Sequence, residues 1–199
     1  METSSLEKID VDFYRSIDMY LGTLKLQVDM LDVNEINTVI LKLLEVYDRK
    51  GFVYVFGNGG SASTASHFVN DFNKGVSEKL VKRFKFCCLN DNVSSIMAIA
   101  NDISYDEIFR FQLKNYLTKN DLVIGISGSG NSKNVVNAIE YANYVGAETI
   151  GLVGYDGGKL KELAKYCIHV PIRDMQKVED IHMILEHLIM SIIKGYLRG

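Results

Sequence analysis

Five short apolar runs, Phe52–Phe56, Phe84–Leu89, Leu122–Ile126, Thr149–Val153 and Cys167–Val170, alternate with stretches of helical periodicity. Runs of that length with helices between them predict strands buried on both faces, which is how parallel sheets are built. The expected fold is therefore α/β: a three-layer sandwich in which a five-stranded parallel sheet is flanked by helices. Two further helices precede it.

In the first of these the apolar residues Leu6, Ile9, Phe13, Ile17, Leu24, Val28 and Leu31 recur at helical spacing, and a second pattern runs over 34–49. The plainer reading is that the seam packs on its own domain. The sharper one is that residues 1–50 build a helical bundle between subunits, since a 3-4 seam suits helix–helix packing. The C-terminal helix favours the second reading, because Ile181, Ile184, Leu188, Ile189, Ile192 and Ile193 spread over a wide arc. A single proline, Pro171, and no Ser/Gly linker argue for one domain over residues 1–199.

With 47% apolar and 24% charged residues the chain can bury a core without disulfide staples. A net charge of −3 gives no basic stripe, so nucleic acid is not expected as a partner. Cys87 and Cys88 are neighbours on a strand and face opposite ways, and neither has metal-ligand spacing to Cys167. All three are read as buried thiols of a reducing compartment. No 18-residue apolar span and no signal-peptide core are present, so the expectation is a cytoplasmic protein that engages no membrane.

Two turns carry the chemistry. The first strand runs into Gly57-Asn58-Gly59-Gly60-Ser61-Ala62-Ser63 and then a helix. Its glycines admit a close ligand, and the helix start favours an anion. The segment lacks the lysine of a nucleotide P-loop, and by itself it could be a tight turn without a ligand. The third strand ends in Ser127-Gly128-Ser129-Gly130-Asn131-Ser132, where neutral hydroxyls stand beside free amides and suit a phosphate monoester. Two such turns at the carboxyl ends of parallel strands predict one small phosphorylated ligand between them.

The Ser-Gly-Ser-Gly-Asn-Ser turn resembles the phosphosugar-binding signature of the sugar-isomerase (SIS) family. Gly57–Ala62, His67, Ala100-Asn101-Asp102 and Gly154-Tyr155-Asp156-Gly157-Gly158 are similar to its phosphoheptose isomerase subgroup, over essentially the whole chain. The resemblance implies a homotetramer with active sites at subunit contacts, and isomerisation of sedoheptulose 7-phosphate to D-glycero-D-manno-heptose 7-phosphate through an enediol. It also implies one zinc ion per site. Phosphate and sugar would be held by Asn58, Gly59, Gly60, Ser61, Asn101, Asp102, Ser127, Gly128, Ser129, Ser132 and Glu179. The metal would be held by His67, Asp71, Glu179 and His187, with Asp71 and His187 moving the proton.

This chain departs from the subgroup at several of those positions. Asp71 stands for a glutamate, Glu179 for a metal-binding glutamine, Gly128 for a threonine and Gln176 for an aspartate. The shorter Asp71 draws its carboxylate back by about 1.5 Å, and misplacement by about 1 Å can cost about a hundredfold in rate. Glu179 and His187 lie eight residues apart, a rise of about 12 Å on a regular helix. They can converge on one ion only if the helix starts after Glu179 or if they come from different subunits.

Read singly, His67 pairs with Asp71 on a helix surface, His187 is a core histidine, and His182 with Glu186 is an i,i+4 salt bridge. His169 reads as structural, Lys85 and Lys133 as solvated cations, and Tyr105 and Asp106 as a helix start. The rival to an isomerase of heptose phosphate is a non-catalytic phosphosugar-binding module, or an isomerase of a different sugar phosphate.

Overall fold

The computed structural model describes residues 12–199, so Leu6 and Ile9 of the first seam lie outside the described residues. Helix α1 spans Tyr14–Asp29 and α2 spans Val33–Asp48. The Asp32 side chain opens α2 by accepting the Asn34 N–H at 2.8 Å, satisfying one of the free donors of the first turn. The strands are β1 (Val53–Gly57), β2 (Phe86–Cys88), β3 (Leu122–Ser127), β4 (Glu148–Val153) and β5 (Tyr166–His169). The helices between and after them are α3 (Gly60–Asn70), α4 (Val93–Asp102), α5 (Arg110–Tyr116), α6 (Lys133–Val145), α7 (Gly158–Leu163) and α8 (Met175–Arg198).

All four strand pairs are parallel, in the order β2-β1-β3-β4-β5. Alternation along each strand feeds two cores. Val53, Val55 and Cys88 face α2, α3 and α8, whereas Tyr54, Phe56 and Cys87 face α4, α5 and α6. The chain reverses its direction of winding between β1 and β3, and open parallel sheets bind ligands at the carboxyl ends of such a pair. Both glycine-rich turns stand there.

Two expectations are refined. The apolar run over 84–89 gives only three paired residues, Phe86–Cys88, flanked by bonds from Val53 N–H to Lys85 O and from Leu89 N–H to Val55 O. On the free edge the Asn73 amide donates to Phe86 O at 2.8 Å and accepts from Phe86 N–H at 2.9 Å. The Phe84 N–H turns away to the Ser77 hydroxyl at 3.0 Å. Of the three thiols only Cys88 is fully buried, and Cys87 and Cys167 are half-buried.

Candidate active site at the carboxyl ends of β1 and β3

The first turn is held by side-chain amides. Asn90 extends the pairing past the end of β2 by accepting the Gly57 N–H at 3.2 Å and donating to Gly57 O at 2.8 Å. Gly59, at φ +57°, then swings the chain into α3. The N–H groups of Ser61 and Ala62 bond back to Asn58 O and Gly59 O, at 3.0 Å each. Both polar atoms of the Asn58 side chain are engaged. It exchanges two 2.9 Å hydrogen bonds with the buried Asn134 amide on α6 and accepts the Tyr105 hydroxyl at 3.0 Å.

In the second turn Gly130 N–H bonds to Ser127 O at 3.0 Å, and the Ser127 hydroxyl reaches the Ser132 hydroxyl at 3.2 Å. Ser132 occupies the N-cap position of α6 yet makes no capping bond, so its hydroxyl is directed to Ser127. The segment Gly154–Gly158 acts as a buttress. Gly154 N–H donates to Gly128 O at 3.0 Å, and a methyl on Gly130 would fall 1.9 Å from Gly157 O.

Both turns line one cavity of about 240 Å³, to which Asn58, Gly59, Ser61, Ser127, Gly128, Ser129, Ser132 and Glu179 contribute. Met175 joins them, its sulfur filling the space a side chain at Gly128 would take. Gly60 lies directly beneath the Glu179 carboxylate, since a methyl there would sit 2.3 Å from Cδ. Asn101 and Asp102 are exposed at the end of α4 and do not line this cavity. Nor do Lys85, which donates to Lys50 O at 3.0 Å, and Lys133, beside Asp106. A larger hollow of about 680 Å³ runs past Phe52, Tyr54 and Tyr116, but no serine-bearing turn converges on it.

A second cluster lies farther along the same helices. Helices α3 and α8 run side by side in one direction, with Gly60 against Glu179 at one end and His67 against His187 two turns on. His67 and His187 meet Nε2 to Nε2 at 3.0 Å with their rings edge to face. Asp71, one turn after His67, opens a π-helical turn over Asp71–Val76 and holds its carboxylate 3.6 Å from His67 Nε2. Glu186 Oε2 lies 3.7 Å from His67 Nε2 and 3.5 Å from His187 Nε2. One ligand atom from each of His67, Asp71, Glu186 and His187 falls within 4.8 Å of all the others.

Glu179 is not in that group: helix α8 is unbroken from Met175, and Glu179 stays about 12 Å behind His187 along the axis. Glu186, which i,i+4 spacing pairs with His182, takes a different place. It forms no salt bridge with His182: both are buried, and His182 Nε2 instead contacts Val153 O at 3.3 Å. Burial lowers the His182 pKa to about 4, keeping the ring neutral. Burial, with a smaller push from the Asp71 charge, raises the Glu186 carboxyl to about 8. The overlooked signal is positional. Residues 182, 186, 189 and 193 follow one helical stripe, and Ile189 and Ile193 put that stripe in the core.

Residues 20–154 match the SIS domain. The chain is 40% identical to the phosphoheptose isomerase of Helicobacter pylori strain HPAG1 over 153 residues, covering 77% of this chain and 79% of the relative. It is 36% identical to the probable phosphoheptose isomerase of Thermoplasma volcanium over 166 residues, 83% and 84% of the two chains. Among solved structures, phosphoheptose isomerase from Neisseria gonorrhoeae superposes with a TM-score of 0.85 at 25% identity, covering 92% of this chain and all of that one. The fold, the paired serine turns and these relatives agree: the chain belongs to the SIS-domain family, in its phosphoheptose isomerase group.

Proposed function

We propose that the protein is an aldose–ketose isomerase that converts sedoheptulose 7-phosphate to D-glycero-D-manno-heptose 7-phosphate through an enediol. The observation that carries this reading is a length. His67 follows Gly60 by seven residues of α3, so the His–acid cluster stands about 10 Å from the serine cavity along the helix. An open-chain heptose 7-phosphate spans about 10 Å from phosphorus to C1, at about 1.25 Å of advance per bond.

In this reading Ser61, Ser127, Ser129 and Ser132 hold the phosphate with the amides of the two turns. Gly59 and Gly60 let the chain of the sugar pass, and Glu179 borders it. Asn58 contributes through its backbone, its side chain being engaged with Asn134 and Tyr105. Asn101 and Asp102 reach the sugar from outside the cavity. Asp71 takes a proton from C1 of the ketose and returns it to C2. His187 carries the hydroxyl proton from O1 to O2, so atoms balance without a redox partner. His67, Asp71 and His187 suit a divalent cation such as zinc, because imidazole and carboxylate donors converge there at a partly exposed site. Such an ion, when bound, polarises the O1 and O2 oxygens as a Lewis acid.

The reading includes a cytoplasmic homotetramer with sites at subunit contacts. Support comes from an apolar stripe on α1 that the described residues do not bury, with Ile17 and Leu21 each more than half exposed. Exposed Ile192 and Tyr196 on α8 add to it. The free thiols fit a reducing compartment, and no described helix is long and apolar enough to cross a membrane.

The deciding experiment follows sedoheptulose 7-phosphate in D2O by NMR, with and without zinc. Deuterium at C1 and C2, together with the aldose product, is expected. Tight binding with no exchange would instead identify a phosphosugar-binding module, and faster exchange with a six-carbon phosphate would reassign the substrate.

A further inference from the structure

We infer that Glu186, rather than Glu179, is the second carboxylate of the divalent-cation site, binding the ion together with His67, Asp71 and His187. The inference rests on the cation reading above and adds to it a ligand at a position that the resemblance does not supply. Three observations lead to it.

The first is that Glu186 is wholly buried and neither of its carboxylate oxygens has a hydrogen-bond partner among the described residues. Leaving buried polar atoms unpaired costs about 1–3 kcal/mol each, and more for a charge, so such a group needs an occupant to face. The second is spacing. Glu186 Oε2 is 3.7 Å from His67 Nε2 and 3.5 Å from His187 Nε2, and Asp71 Oδ2 is 3.6 Å from His67 Nε2. These separations are too long for hydrogen bonds. They lie close to the edge of about 3.3–3.4 Å expected between donors bound tetrahedrally at about 2.0–2.1 Å to one zinc-sized ion. The third is register. Glu179 precedes Glu186 by seven residues of unbroken α8 and lies over Gly60, whereas Glu186 and His187 arrive at the cluster together.

The donor set also selects the ion. Two imidazoles with two carboxylates suit a first-row dication such as zinc, cobalt, iron or manganese better than magnesium or calcium, whose sites are built from oxygen. Two carboxylates would balance the charge of a dication. They would also exchange their mutual repulsion for attraction to it.

The test uses the full-length protein without substrate. Zinc affinity is read by competition with a chelator, and coordination by the visible spectrum of the cobalt-loaded protein, for wild type, E186Q and E179Q. Wild type should bind one equivalent. E186Q should lose at least about tenfold in affinity and change the cobalt spectrum, and E179Q should stay within about threefold of wild type. Wild-type affinity in E186Q, a loss confined to E179Q, or a wild type that binds no ion would each overturn the assignment. Should E186Q fail to fold, anomalous diffraction from cobalt-loaded wild type decides: a Glu186 oxygen within about 2.2 Å of the ion supports the assignment, and an ion held without Glu186 overturns it. An absence of isomerisation with this binding pattern intact would count against the proposed reaction and leave the ligand assignment standing.

Discussion

The side-chain amides of Asn58 and Asn134 exchange two hydrogen bonds of 2.9 Å, joining the turn after β1 to the helix after β3. Each amide donates one bond and accepts one, and Tyr105 donates a second bond to Asn58 Oδ1. This pair links the two serine turns. Asn134→Ala should leave two polar atoms of Asn58 without that partner, costing about 2 kcal/mol in a denaturant titration. The turns would then drift, and kcat/KM should fall by about 10–100-fold. A loss of stability with unchanged kcat/KM would show that the pair braces the fold without positioning the ligand.

Ser132 separates capping from binding. A serine at an N-cap is normally worth about 1 kcal/mol to its helix. Here no capping bond is made and the hydroxyl faces Ser127 across the cavity. Ser132→Ala should therefore change the melting temperature by less than a capping loss would, while phosphosugar affinity measured calorimetrically drops by about tenfold. The opposite pattern, lower stability with intact affinity, would mean that the hydroxyl serves the helix after all.

Gly130 and Gly59 both have positive φ, at +66° and +57°, but differ in their surroundings. A methyl on Gly130 would meet Gly157 O at 1.9 Å, a backbone atom fixed by the neighbouring loop. A methyl on Gly59 meets nothing within 4 Å. Gly59→Ala should cost only the conformational strain of φ +57° with ψ −124°, about 1–3 kcal/mol. Gly130→Ala should cost more, because the Ser127–Ser132 turn and the Gly154–Gly158 segment must separate. Equilibrium unfolding of the two variants side by side checks the order.

How much of this was legible in the sequence depends on whether a residue's role is set by local pattern or by a distant partner. The strands announced themselves through run length, and the two serine turns through glycine spacing at strand ends. The free edge of β2 is covered by Asn73, 13 residues earlier, a pairing that the local pattern does not mark. Asn134 looks like an ordinary helical asparagine, and its partner is 76 residues away. Glu186 is obscured by a local rule: i,i+4 spacing to His182 suggests an ion pair, whereas the packing of α8 buries both side chains. The tension at Glu179 is legible in the spacing, since residues eight apart on a helix converge poorly, whereas its place over Gly60 comes only from the packing of α3 against α8.

His182 supplies the pH dependence. Its folded pKa of about 4 lies below the ordinary 6.5, because desolvation outweighs the Val153 carbonyl that favours the charged ring. Between those two values the unfolded chain binds the extra proton and the folded chain does not. Stability from this group is therefore complete above pH 6.5 and is lost as pH falls toward 4, by about 3 kcal/mol in all. Glu186 acts in the opposite sense in ion-free protein. Its folded pKa of about 8 stands above the ordinary 4.5, so its contribution is present below pH 4.5 and is lost as pH rises toward 8. The two slopes offset each other in wild type, and a single stability curve would hide both. The informative quantity is the difference between wild type and His182→Gln, measured by urea unfolding with a chelator present from pH 7.5 to 4.5. That difference should shrink steadily as the pH falls below 6.5, because only wild type carries the buried imidazole. A difference that stays constant across the range would mean that the His182 ring is protonated equally in folded and unfolded chains, and that its burial has no electrostatic consequence.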